Sequence, residues 1–139
     1  MIRQEIYIHR YGWNVVVYYD SRWENAPEIL RELDRYGVDD RTYYRAAQNL
    51  NSGMPDTGLT YSDKTRRLSV IVLSHTSTAA EFANTWVHEI IHFAEHIAEA
   101  LGMDYEGEAI AYVGGELARS MHPVAARLMC PKCHSKVKG

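Results

Sequence analysis

The chain begins with two segments whose polar and apolar positions predict a β-hairpin. Residues 4–9 alternate between polar and apolar side chains, and residues 13–19 are rich in β-branched and aromatic side chains, with Gly12 between the two segments. Alternation with a period of two is typical of a half-buried strand, and a glycine in a short connection is typical of a turn. A second hairpin is predicted by residues 59–62 and 68–73, and the latter segment is apolar on both faces, as a central strand is.

Two helices are predicted between the hairpins. In residues 25–37 the apolar side chains recur every three or four positions, with Pro27 in the first turn and Gly37 at the end. Residues 42–50 are predicted to form a shorter helix. The loop that follows is rich in glycine, proline, asparagine and aspartate, which are the residues that commonly end a helix and form turns.

The longest helix is predicted from about residue 79 to Leu101. Thr78 and Glu81 have the spacing of a capping box, and Gly102 can take the positive φ that ends a helix. One side of this helix is predicted to face the core, because apolar residues recur on it at spacings of three and four. These residues are Trp86, Ile90, Phe93, Ile97 and Leu101. Residues 105–121 are predicted to form a further helix after a short turn. Its predicted buried stripe is Ile110, Val113, Leu117 and Met121. The predicted order is therefore ββααββαα.

The longest predicted helix carries two overlapping metal-binding motifs in the segment HEIIHFAEH. His88, Glu89 and His92 form H-E-x-x-H, and the same segment contains the reversed motif H-x-x-E-H in His92, Glu95 and His96. Histidines four residues apart lie on one helix face, one turn apart, and can bind one ion at about 2.0–2.1 Å each. The three histidines cannot all bind one ion, because His88 and His96 are eight residues apart and are therefore separated by about 12 Å along the helix axis.

We predict that H-E-x-x-H is the motif that binds the metal. In this motif Glu89 lies beside the ion and can take a proton from zinc-bound water, which is the role of a general base. The reversed motif, with Glu95 as the base, resembles that of the inverzincin peptidases. In those larger chains the third ligand lies far downstream of the motif. The segment that follows His96 here is shorter than that distance. A site built on His92 and His96 stays as the alternative.

From residue 78 to residue 121 the chain resembles the zincin metallopeptidases, and the gluzincin group in particular. The segment HEIIHFAEHIAEALGMDYEGEAIAY is similar to a shortened thermolysin-type active-site helix, loop and E-A-I helix, and to small predicted metallopeptidases of phages and mobile elements. The resemblance implies an α+β, zincin-like domain, in which a small mixed or antiparallel sheet packs on the H-E-x-x-H helix and a second helix follows. It also implies that His88, His92 and Glu108 bind Zn²⁺, with water as the fourth ligand.

Two glutamates are candidates for the third ligand. Glu108, Tyr112 and Glu116 are spaced four residues apart and share one face of the predicted helix. If this helix returns antiparallel after a short turn, Glu108 lies opposite about Ile97, and Glu116 lies nearer the two histidines. We predict Glu108 from the motif, with Glu116 as the alternative. Tyr112 is a candidate catalytic residue that donates a hydrogen bond to a tetrahedral intermediate.

These residues predict a zinc-dependent peptidase that hydrolyses a peptide bond with metal-activated water and Glu89 as the general base. We expect the peptide or protein substrate to lie extended along an edge of the sheet, beside residues 59–62 or 68–73. One alternative is a catalytically inactive, zincin-fold accessory protein of a phage or mobile element that binds a partner. Another is a metal-dependent hydrolase of a different amide, such as one in the cell wall.

Composition limits the further possibilities. The 139 residues are 46% hydrophobic and 24% charged, which fits one domain with a real core, predicted over residues 1–125. A net charge of −3 gives no field that would gather nucleic acid or anionic lipid, so we expect neither as a partner. The early apolar run at residues 13–19 is too short for a signal-peptide core or a membrane span, and cytoplasmic residence is the default prediction. The oligomeric state is not predicted.

The predicted tail, residues 126–139, is polar and contains the only two cysteines. Cys130 and Cys133 form C-P-K-C, which resembles half of a zinc ribbon, but the other half is missing. We predict a disordered tail with reduced thiols. A second zinc site that includes His122 or His134 is the alternative.

Overall fold

The computed structural model describes residues 1–136, which form a four-stranded sheet with helices on both faces. The strands are β1 (Ile2–Ile8), β2 (Trp13–Ser21), β3 (Gly58–Asp63) and β4 (Leu68–Ser74). The helices are α1 (Ala26–Arg35), α2 (Asp40–Asn51), α3 (Ala79–Leu101), α4 (Glu108–Met129) and α5 (Pro131–His134), with a 3₁₀ turn at Trp23–Asn25. The predicted order ββααββαα is confirmed. The 3₁₀ turn and α5 are additions to it.

The sheet is mixed, with strand order β1-β2-β4-β3. The hairpins β1–β2 and β3–β4 are antiparallel, and they join through the parallel pairing of β2 with β4. The predicted α+β class and the predicted small mixed sheet are therefore confirmed. The topology makes β4 an inner strand and β3 an edge strand, and residues 68–73 are buried along the whole inner strand, as their apolar pattern predicts.

Two hydrophobic cores lie on opposite faces of the sheet. Successive residues of a strand point to opposite faces, so Val15 and Val17 pack with α3 and α4, whereas Val16 packs with α1 and α2. The burial of β2 on both faces explains why its apolar side chains run nearly without interruption. In residues 1–136, no helix has the length and apolar character needed to cross a membrane.

Helix α3 has the ends that the sequence predicts. The Thr78 hydroxyl accepts a hydrogen bond from the Glu81 backbone N–H at 3.1 Å, and Gly102 takes the left-handed conformation with φ +63°. Of the predicted stripe, Trp86, Phe93 and Ile97 are buried, and Ile90 and Leu101 are half-buried against the same core. This stripe fixes the rotation of α3 about its axis and therefore decides which side chains face away from the core.

The end of the chain differs from the prediction. Helix α4 continues to Met129, past the predicted domain boundary at residue 125, and Leu128 is buried in the core. The tail predicted as disordered forms α5, in which His134 is buried and its Nε2 hydrogen-bonds with the Thr76 hydroxyl at 2.8 Å. Residues 137–139 of the predicted tail lie outside the described part of the chain.

Candidate metal centre

His88 and His92 converge on the exposed face of α3. Their Nε2 atoms are 3.1 Å apart, and the two rings lie nearly perpendicular at 79° with centroids 4.7 Å apart. Two nitrogens that bind a tetrahedral zinc at about 2.0–2.1 Å are separated by about 3.3–3.4 Å. The side chains are 65% and 46% exposed. The pair therefore presents two ligand nitrogens at nearly the separation that zinc requires, with open solvent on one side.

Glu89 points away from solvent, toward the edge strand β3. Its side chain is only 5% exposed, and the Thr60 hydroxyl donates a hydrogen bond to its Oε1 at 2.8 Å. The other carboxylate oxygen, Oε2, lies 4.0 Å from Nε2 of His88. One oxygen is thus fixed by the sheet while the second faces the histidine pair, which is the position that a general base for a water at the pair requires.

Gly58 provides the space for this carboxylate. A Cβ atom at Gly58 would lie 2.7 Å from Oε2 of Glu89 and 2.9 Å from its Cγ, closer than Cβ atoms are found to other atoms. Gly58 and Thr60 are two residues apart on β3 and therefore share the face that α3 covers. Neither residue was predicted from the sequence. The period of two along the strand gives their common face, but nothing local in the sequence gives their contact with α3.

His96 takes part in a hydrogen-bond chain that crosses the sheet, here called the serine relay: Trp13, Ser69, Ser62 and His96. The Trp13 indole N–H donates to Ser69 Oγ at 2.9 Å, the two serine oxygens are 2.7 Å apart, and Ser62 Oγ is 2.7 Å from His96 Nδ1. An indole can only donate, so every member of the relay is satisfied when Ser69 donates to Ser62 and Ser62 donates to His96. His96 Nδ1 is then an acceptor, and Nε2 carries the hydrogen.

This arrangement distinguishes His96 from the other two histidines of the segment. Burial lowers the pKa of His96, which keeps its ring neutral at pH 7. A histidine binds metal through a ring nitrogen with a free lone pair, and in the relay the lone pair of Nδ1 is already occupied. His92 turns its Nε2 toward His88 and has its Nδ1 3.8 Å from a carboxylate oxygen of Glu95. The observed convergence is therefore that of H-E-x-x-H.

The substitution Ser62→Ala should remove the hydrogen bond that fixes the tautomer of the His96 ring. We expect the variant to lose about 1–3 kcal/mol of the free energy of unfolding, because Ser69 loses an acceptor and His96 loses a donor. The ¹⁵N chemical shifts of the His96 ring, measured by NMR, should change from the Nε2–H form toward a mixture of tautomers. Ser120→Ala on α4, outside the relay, is the matched control. A parent protein that shows the Nδ1–H form would contradict the assigned direction of the relay.

The other predicted site residues lie on α4, which packs on a different side of α3. A Cβ atom at Gly114 would lie 3.4 Å from Ile90, so α4 covers the side of α3 that carries Ile90. Tyr112 lies beneath the Arg10 guanidinium, whose carbon is 5.3 Å from the ring centroid, near the β1–β2 turn. Oε2 of Glu116 accepts a hydrogen bond from Arg119 at 2.6 Å, and Glu108 is exposed as the first residue of α4.

The third ligand is not assembled with the histidine pair. Over residues 1–136, no three His, Cys, Asp or Glu side chains are grouped closely enough to hold a metal ion. His88, Glu89 and His92 lie near one another without forming such a group, and Glu108, the predicted third ligand, lies apart from them. The roles of Glu108 and Tyr112 stay predictions.

Known proteins do not guide the interpretation of this site. Comparison of the chain with protein-family models, with curated proteins and with solved structures found no match. The resemblance to zincins therefore depends on the motifs in residues 78–121.

Proposed function

We propose that the protein is a zinc-dependent peptidase with a zincin-like fold. The observation that carries the proposal is the position of the buried Glu89 carboxylate, which lies between the convergent His88–His92 pair and the edge strand β3. A histidine-rich surface with no function in metal binding does not require a buried glutamate beside the pair. Burying a carboxylate is costly unless it is hydrogen-bonded, and here Thr60 supplies the bond.

Zinc and the residues of the site have different roles in the proposed hydrolysis. Zinc, when it is bound by His88 and His92, supplies a Lewis acid that brings the pKa of a coordinated water near 7. Glu89 accepts the proton of the attacking water at Oε2, while Thr60 holds Oε1 and so fixes the direction of the carboxylate. A base that is held in place before reaction needs no reorganisation in the transition state.

The edge strand supports a peptide as the substrate. Within the described residues β3 pairs only with β4, so its other edge has no partner strand. The Gly58 carbonyl on this edge accepts a hydrogen bond from the Asn49 side chain at 3.3 Å, which an added strand would replace. An extended peptide on this edge passes directly beside Glu89 and the histidine pair.

Glu108 stays the proposed third ligand. It is exposed at the start of α4, whereas Glu116 is held by Arg119. Metal binding commonly organises ligands that are not preformed, so we propose that this ligand joins the site when zinc binds. Glu116 stays the alternative, and Tyr112 needs to leave Arg10 to act as the proposed hydrogen-bond donor.

A second candidate function is that of an inactive, zincin-like binding protein. The specific observation in its favour is that residues 1–136 contain no assembled group of three metal ligands. This candidate predicts less than one zinc per chain, or bound zinc without hydrolysis of any peptide.

Zinc content of purified variants tests the proposed site. The parent should bind one zinc per chain, and His88→Ala and His92→Ala should each lower the zinc affinity by more than about 100-fold, since even residues that only orient a ligand contribute 10–100-fold. His96→Ala is the matched control on the same helix and should keep the metal. Loss of zinc in His96→Ala but not in His88→Ala would overturn the assignment in favour of the reversed motif. Glu108→Ala and Glu116→Ala, measured in parallel, identify the third ligand.

A further inference from the structure

The two cysteines lie at the corner between α4 and α5. Cys130 follows the last residue of α4, Pro131 begins α5, and the His134 backbone N–H donates to the Cys130 carbonyl at 2.7 Å. Both thiols are exposed. The segment C-P-K-C therefore forms one ordered helical turn on the surface, and its two thiols are accessible to molecules in solution.

The turn holds the thiols close enough to form a disulfide. Positions three residues apart in a helical turn have Cα atoms about 5 Å apart, which lies within the range of about 4.4–6.8 Å found for disulfides. The bond from the His134 backbone N–H to the Cys130 carbonyl closes this turn and holds the two positions at the helical spacing. The oxidised pair can thus form with little movement of the backbone.

The two thiols are not equivalent. Hydrogen-bond donation from the backbone and thiol of Cys133, and from the backbone of Lys132, lowers the pKa of the Cys130 thiol. The pKa of Cys133 is raised, because its thiol donates to Cys130. The thiolate is the nucleophile in thiol–disulfide exchange, so Cys130 is the attacking sulfur and Cys133 the resolving sulfur.

The surroundings of the pair do not favour a second zinc site. Two thiolates need two further ligands to complete a structural zinc site. The neighbouring His134 is buried and its Nε2 is hydrogen-bonded with Thr76, and residues 1–136 bring no third ligand to the cysteines. Both thiols are therefore available for a redox reaction.

We propose that Cys130 and Cys133 are a dithiol–disulfide redox pair that exchanges with low-molecular-weight disulfides. The Cys130 thiolate attacks one sulfur of the small disulfide, so that a mixed disulfide forms and one small thiolate leaves. Cys133 then loses its proton to solvent and attacks the Cys130 sulfur, so that the Cys130–Cys133 bond forms and the second small thiolate leaves. The protein loses two electrons, and the small disulfide gains them as two thiols. This reaction is independent of the proposed peptidase activity.

Exchange with glutathione disulfide tests the proposal on the full chain. The parent should form an intramolecular disulfide, detected by mass spectrometry of the peptide that contains both cysteines, and should release two glutathione molecules per chain. Cys133→Ser should stop at a stable mixed disulfide on Cys130. Cys130→Ser should react more slowly than Cys133→Ser, because the remaining Cys133 thiol lacks the backbone donors that lower the pKa of Cys130. Circular dichroism of both variants should match the parent, since both side chains are exposed.

Three results would overturn the proposal. One is a parent that accumulates only mixed or intermolecular disulfides. The second is a Cys130→Ser variant that reacts as fast as Cys133→Ser. The third is protection of both thiols from alkylation by added zinc in the His88→Ala variant, which would show a second metal site at the cysteines. None of these results bears on the proposed histidine site, whose zinc content is measured separately.

Discussion

Glu89→Gln should abolish peptide hydrolysis while leaving zinc bound. Glutamine is nearly isosteric with glutamate, and its amide oxygen can still accept the hydrogen bond from Thr60, so the site should keep its shape. The amide cannot take a proton from water, and the loss of a general base lowers rates by about 10²–10⁴-fold. Hydrolysis is measured by mass spectrometry on a mixture of unstructured peptides, and zinc by elemental analysis of the same samples.

Glu95→Gln is the matched control for this experiment. Glu95 lies on the same helix, is 48% exposed and is the base of the reversed motif. Its substitution should leave the rate within a factor of two or three of the parent, because a screened surface charge contributes little. If Glu95→Gln loses the activity and Glu89→Gln keeps it, the mechanism proposed for H-E-x-x-H is wrong.

Gly58→Ala should reduce hydrolysis by about 10²-fold without removing zinc. The added Cβ would lie 2.7 Å from Oε2 of Glu89, so the carboxylate has to turn away from the histidine pair. A misplacement of about 1 Å in a catalytic group costs rates of this size. The free energy of unfolding should fall by about 1–3 kcal/mol, as is usual when a methyl group is forced into a packed contact. Denaturant unfolding and the peptide assay measure the two effects on one sample.

Gly115→Ala separates this effect from a general effect of glycine replacement. A Cβ at Gly115 meets nothing within 4 Å, and the residue lies inside α4. Alanine favours a helix interior over glycine by about 0.5–1 kcal/mol, so this variant should be slightly more stable and fully active. Equal activity of Gly58→Ala and the parent would show that the position of Glu89 does not limit the rate.

The sequence predicts the parts of the site that are local to one helix. His88 and His92 converge because a spacing of four fixes their common face, and the Thr78 cap and Gly102 define the helix that carries them. The contacts of Glu89 with β3 could not be predicted, because they depend on how the sheet and α3 pack. The spacing within one segment holds no information on a contact between segments far apart in the chain.

The end of α4 shows how burial overrides a local signal. The helix predicted from the sequence ends at Met121, whereas α4 continues to Met129 and contains Pro123. The helix continues because Ala125 and Leu128 extend the buried stripe at spacings of four and three, and both are buried in the core. A proline inside a helix lacks a backbone donor and its ring clashes with the preceding turn, which costs about 3 kcal/mol. The burial of these two side chains offsets that cost.

The parallel pairing of β2 with β4 joins parts of the chain that lie far apart in sequence. Pairings of this kind enclose a long loop and slow folding relative to the contacts within each hairpin. Strands β3 and β4 and helix α3, by contrast, follow one another directly in the chain, and they hold the histidine pair, Glu89 and Thr60. The arrangement is therefore contained in residues 58–101, and a substitution in the first hairpin reaches it only through the stability of the sheet.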